Sequence, residues 1–168
     1  VAYADARNQS MYPYDVTAGA VNISAAGVKG RGIYNYTGAV SMDTDLVLRG
    51  SNTDIWIFQI NGAKTQAANI EMILQNEAGV VDGANGPQAK NIFWAIDGAP
   101  SQGAGTHFVG VVMATGALSM GAGSTFVGRG FSNGTVSAAT SDFSTPTEAV
   151  EQVTLVTVGQ TIARSNFF

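Results

Sequence analysis

At 168 residues the chain suits one domain with a sizeable core, and its net charge of −4, 12% charged residues and lack of cysteine set limits on what it does. Eight basic residues are too few for a phosphate-neutralising surface, and without cysteine there is neither a disulfide framework nor a thiolate metal site, so no nucleic acid, metal or cofactor is expected. The charged share is about half the usual one, so the soluble surface must be built of Ser, Thr, Asn, Gln, Gly and Ala, which disfavours any partner held by charge.

The first recognisable element is the tetrad Gly19-Ala20-Val21-Asn22, and it returns as Gly38-Ala39-Val40-Ser41. Asp43-Thr44-Asp45 follows at a corner, where Asp caps turns. Turn chemistry explains Asp43, Asp45 and Asp54 better than a paired-carboxylate site does. Ile55 to Ile60 is the most apolar stretch, far too short to span a membrane, so no membrane partner is expected. Phe58 and Ile60 alternate as in a strand, and the phase buries Trp56, which favours core packing over sugar stacking. The third tetrad is Gly62-Ala63-Lys64-Thr65. Its third position is apolar elsewhere, so Lys64 breaks the pattern, and a register shift or coil end is expected there.

Gly79, Asp82-Gly83, Asn85-Gly86 and Pro87 mark Asn76 to Lys90 as a protruding loop. Trp94 and Ile96 then resume the inward alternation, and Ile96-Asp97-Gly98-Ala99 repeats Ile60-Asn61-Gly62-Ala63 thirty-six residues on. The octet GAGTHFVG at 103–110 recurs as GAGSTFVG at 121–128, eighteen residues on. The remaining tetrads are Gly98-Ala99-Pro100-Ser101, Gly116-Ala117-Leu118-Ser119 and Gly134-Thr135-Val136-Ser137. Eighteen residues suit one coil of three short strands and three corners, and stacked coils bury one continuous core. The expected fold is all-β, a parallel β-helix of triangular section.

In each tetrad the third residue points inward, so the second and fourth point out. The outward set is Ala20, Ala39, Ala63, Ala99, Ala117 and Thr135, beside Asn22, Ser41, Thr65, Ser101, Ser119 and Ser137. Such a face is flat, stiff, uncharged and half polar. It lacks the concavity of a ligand pocket, the aromatic and Arg anchors of a protein interface and the positive charge of a nucleic-acid site. It suits an extended uncharged lattice such as ice, whose first water layer hydroxyls can hold and methyls can cage. An inert soluble surface has the same composition. His107 falls opposite Thr125 in the repeat, at a generic surface position, and no catalytic residue is expected.

The segments Gly32-Ile33-Tyr34-Asn35-Tyr36, Asp54 through Gly62, Gln88 through Trp94, Gly105 through Gly110 and Gly123 through Arg129 resemble the ice-binding β-helix family, domain of unknown function 3494, of polar fungi, diatoms and bacteria. The resemblance runs from about Val1 to about Ala139. It implies a right-handed β-helix with a long α-helix along one side, export from the cell, and adsorption to ice that inhibits growth and recrystallisation. The family's ice-binding strands resemble T-A/G-x-T/N. Carried over, that motif falls on Asn22, Ala39, Ser41, Ala63, Thr65, Ala99, Ser101, Ala117, Ser119, Thr135 and Ser137. The family's first Thr is Gly in every tetrad here, which removes one hydroxyl rank.

The same resemblance places the end of the family's helix at Val1 to Arg7, with most of it missing, and finds no counterpart for Ser141 to Phe168. The expected division is therefore a β-helix domain over 1–140 and a tail over 141–168 that packs on or extends it. Ile57, Phe93, Val111, Met113 and Phe131 would face outward, and an apolar outward patch needs a cover. The tail, a partner chain or a missing N-terminal segment is expected to supply it. The rival reading is an extracellular structural or adhesive β-helix that contacts polysaccharide.

Overall fold

The computed structural model describes residues 16–25 and 27–145. Every strand pairing within its three sheets is parallel. The chain winds as a β-helix with three sides. The first side stacks β1 (Val16–Ala18), β3 (Gly32–Tyr36), β6 (Trp56–Ile60), β9 (Ile92–Ile96) and the second halves of β11 (His107–Ala114) and β13 (Thr125–Ser132). The second side stacks β2 (Val21–Asn22), β4 (Val40–Met42), β7 (Lys64–Gln66), β10 (Pro100–Gln102), β12 (Leu118–Met120) and β14 (Val136–Ala138). The third side begins with Lys29, bridged in parallel to Leu48, and continues with β5 (Leu46–Arg49) and β8 (Met72–Gln75). A bridge from Glu71 to His107 joins it to the first half of β11, then to β13 and to β15 (Asp142–Ser144).

Six coils therefore lie in chain order, a point the repeat alone leaves open. Between the fourth and fifth coils and between the fifth and sixth, the third side runs on into the next first side as one continuous strand, bent at Gly110 and Gly128. Gly128 has φ +154°, and a Cβ there would run into the Gly110 carbonyl oxygen, so only glycine turns this corner. The loop between β8 and β9 protrudes as expected and ends in a 3₁₀ turn at Ala89–Asn91. No α-helix occurs among the described residues, and the helix end expected at Val1 to Arg7 lies outside them.

The inward residues form one core. Trp56, Phe58, Ile60, Trp94, Ile96, Phe108, Val112 and Phe126 are fully buried. A line of rings runs through the stack, Tyr34–Phe58–Trp94–Phe108–Phe126–Phe143, with centroids 4.0–5.6 Å apart. This spacing is set by the ~4.8 Å separation of strands. It lets each coil's aromatic pack on the next, with attraction beyond area burial. Trp56 and Trp94 are therefore core residues, and the Trp94 indole donates to the Val109 carbonyl (3.0 Å).

Lys64 corrects an expectation. No register shift or coil end occurs there: Lys64 pairs in register with Val40 and Pro100 and points inward, fully buried. Its Nζ donates to Gln66 Oε1 (3.0 Å) and sits 4.1 Å from the centre of the Phe108 ring. Burial holds this amine well below the usual lysine range.

On the outer surface of the first side, Ile57, Ala95 and Met113 are buried, Phe93 and Val111 half-buried and Phe131 exposed. The cover expected from the tail falls, from residue 146 on, outside the described residues.

Candidate functional site

The second side carries the tetrads. Its fourth tetrad residues form a single ladder, Asn22–Ser41–Thr65–Ser101–Ser119–Ser137, each in register with the next. The alternate residues Val40, Lys64, Pro100 and Leu118 are buried beneath it. Ala20, Ala39, Ala63, Ala99, Ala117 and Thr135 are all exposed and make a parallel rank of methyl groups. The two ranks lie about 6.7 Å apart along the strands and repeat about every 4.8 Å between coils. All the expected site residues therefore come together on one side.

A third rank was missed by pattern reasoning. Two residues beyond the hydroxyl ladder lie Asp43, Ala67, Gly103, Gly121 and Ala139, held coil to coil by backbone hydrogen bonds such as Gly103 N to Gln66 O and Gly121 N to Gln102 O (2.9 Å each). The GAG triplets at 103–105 and 121–123 were its signal. The face is thus three residues wide and about 13 Å across.

One column of glycine borders it and other glycines stand in its third rank, and their reason is space. A Cβ on Gly62, Gly98, Gly116 or Gly134 would come within 2.7–2.8 Å of the preceding coil's backbone, and one on Gly103 or Gly121 within 2.5–2.6 Å. No side chain fits there without prying the coils apart. At Gly62, Gly98, Gly116 and Gly134 the corner of the coil packs directly on the preceding one, which accounts for glycine at the first position of these four tetrads.

The hydroxyl ladder divides in two. In the early coils its members are engaged: Asn22 Oδ1 accepts from the Ser24 amide (3.0 Å) and hydroxyl (2.7 Å), and Ser41 Oγ donates to Asp43 Oδ2 (3.1 Å). Thr65 Oγ1 makes a long contact of 3.5 Å with the Val40 carbonyl. Ser101, Ser119 and Ser137 have no protein partner among the described residues, so their hydroxyls are left for solvent. The only carboxylate within the three ranks is Asp43, in the second coil.

Other titratable residues serve the turns. The Asp45 carboxylate accepts from the Glu71 amide (2.9 Å). Asp54 accepts from the Ser51 amide (2.8 Å) and pairs with Arg31 (2.9 Å). Burial alone would raise the Asp54 carboxyl, but the Ser51 and Arg31 donors hold it below the usual range. His107 Nδ1 meets Thr125 Oγ1 at 2.7 Å. A groove of about 400 Å³ lies between the protruding loop and the third side, lined mainly by apolar residues such as Ile73, Leu74, Val81 and Val109. Among the described residues no group of three or more His, Asp or Glu could hold a metal ion.

The family model described as Ice-binding-like matches residues 1–144. The chain belongs to that family. An ice-binding protein of Flavobacterium frigoris (strain PS1) is 34% identical over 110 residues, covering 60% of this chain and 37% of its own length. Ice-binding protein K1-A of Typhula ishikariensis is 42% identical over 83 residues, 49% of this chain and 30% of its own length. The chain thus spans about a third of the curated relatives it matches. A crystal structure of an ice-binding protein from an Antarctic biological consortium superposes with a TM-score of 0.72 at 24% identity, covering 86% of this chain and 62% of that one. Another, from an Antarctic Flavobacteriaceae bacterium, gives 0.73 at 24% identity over 90% of this chain and 34% of that one. These likenesses show the fold.

Proposed function

We propose that this member of the ice-binding-like family adsorbs to ice through its second side, and that adsorption restrains ice growth and recrystallisation. The observation that carries the reading is the in-register ladder ending in three unpartnered hydroxyls, Ser101, Ser119 and Ser137, beside an unbroken methyl rank. Small side chains lose little rotamer freedom on ordering, so a stiff sheet of them can hold a water layer at nearly fixed positions. Hydroxyls anchor that water and methyls cage it. The role is adsorption rather than catalysis, and the site of action is extracellular, where the chain meets ice directly.

The polysaccharide-contacting alternative is less favoured by the geometry. Trp56 and Trp94 are fully buried, and the flat face presents no ring on which a sugar could stack. The test is thermal hysteresis of the folded chain in a nanolitre osmometer. A freezing gap with faceted crystals is expected. Round crystals that grow as in buffer would reject the proposal.

A further inference from the structure

The sequence carries the triplet Asn-x-Ser/Thr at Asn22-Ile23-Ser24, Asn35-Tyr36-Thr37 and Asn133-Gly134-Thr135; another, at Asn8, lies outside the described residues. Such triplets accept N-linked glycans where the Asn can stand in solvent. The structure separates these three.

Asn22 is half-buried and its Oδ1 is held twice by Ser24. The buried Ser24 Oγ in turn accepts from the Asp43 and Thr44 amides (3.1 Å each). This triplet is a corner clamp. Asn35 is half-buried in mid-strand, in register with the buried Gln59, and Ile33 before it is buried.

Asn133 differs on each count. It is exposed, just past the end of β13, and its side chain has no partner among the described residues. Its backbone is fixed, with the amide donating to the Ala114 carbonyl (3.1 Å). Ser132 points inward, donating to the Gly116 carbonyl (2.7 Å) and accepting from the Gly134 amide (3.0 Å). Strand alternation then sends Phe131 and Asn133 to the same, solvent side. Phe131 is 42% exposed, among the few large apolar side chains left in water.

We propose that Asn133 is an acceptor for an N-linked glycan and that the Phe131 ring is the platform for its first sugar. The C–H face of an N-acetylglucosamine is apolar and matches an aromatic ring. That contact gives the exposed phenyl a partner. In the transfer, Asn133 Nδ2 bonds to C1 of the reducing-end N-acetylglucosamine of a lipid-diphosphate-linked oligosaccharide. The C1–O bond to the diphosphate breaks, the lipid diphosphate leaves, and the amide gives up one proton. The donor and its transferase belong to a eukaryotic secretory pathway. The glycan stands on the Phe131 side of the corner, so Ser101 and Ser119 stay clear, and the proposal does not depend on ice binding.

The test is secretion of the full chain from yeast, then peptide mapping after enzymatic release of N-glycans in heavy-oxygen water. Asn133 is expected to be occupied in most molecules, with Asn22 and Asn35 occupied in few. Phe131→Ser is expected to lower Asn133 occupancy severalfold, and Phe131→Trp to keep it. An unmodified Asn133 in folded, secreted protein overturns the acceptor assignment, and so does a glycan carried at Asn22 or Asn35 in its place. Unchanged occupancy in Phe131→Ser overturns the platform.

Discussion

Ser119→Tyr puts a bulky ring in the middle of the three unpartnered hydroxyls of the second side. Ser119 stands between Ser101 and Ser137 in the ladder, and neighbouring coils are only about 4.8 Å away. A tyrosine side chain brings roughly 150–250 Å² of surface, more than one coil's share of the face. The ring must lie over a neighbour or stand up from the plane, and either way ice is held off all three unpartnered hydroxyls. Those coils are half of the six, so thermal hysteresis at equal concentration should fall to less than about half the wild-type value. Folding should hardly change, because an outward substitution of this kind is within about 0.5 kcal/mol. The control is Ser144→Tyr, the same chemistry on the exposed third side, which should keep full activity. Nanolitre osmometry reads the activity and circular dichroism the melting point. Full activity in Ser119→Tyr, or equal loss in both variants, would refute the reasoning.

Gly98→Ala should cost about 1–3 kcal/mol by overpacking, since its Cβ would lie 2.7 Å from the Gly62 carbonyl group; a melting point unchanged from wild type would contradict the packing account. Lys64 carries a lowered pKa because it is buried, so the unfolded chain binds more protons, and stability should rise with pH from the depressed value toward the usual lysine range. Lys64→Met should abolish that slope and raise stability by roughly 1 kcal/mol, an apolar side chain replacing a desolvated amine; denaturant melts between pH 7 and 10 check both. Asp54 is held below its usual range, so its stabilisation is present above the unfolded value near 4 and is lost as pH falls through the folded value. Asp54→Asn should flatten the acid limb of the stability curve in pH-dependent melts.

Much of the site was readable because its physics is periodic. Eighteen-residue spacing and strand alternation placed Ser101, Ser119 and Ser137 on one line, and the structure keeps them there. Trp56 and Trp94 were assigned to the core by the same parity. The place of Lys64 is not legible in this way, because a lone sequence shows the desolvation cost of a buried amine but not its compensation. Gln66 and the Phe108 ring, which supply it, converge on the amine only once coils stack. The glycine columns have ordinary dihedrals, and what they provide is close approach between coils, which a lone sequence does not display. Coil order was also illegible, since one repeat unit fits above or below any other. The hydrogen bonds that engage Asn22 and Ser41 come from corner residues, which follow no period.

Adsorption of the fluorescently labelled chain to a single-crystal ice hemisphere, compared with a variant carrying Ser101→Tyr, Ser119→Tyr and Ser137→Tyr together, tests the central claim most directly. Ice should glow with the wild-type chain and stay dark with the triple variant while both remain folded. Equal fluorescence from the two would place ice contact on another side of the molecule.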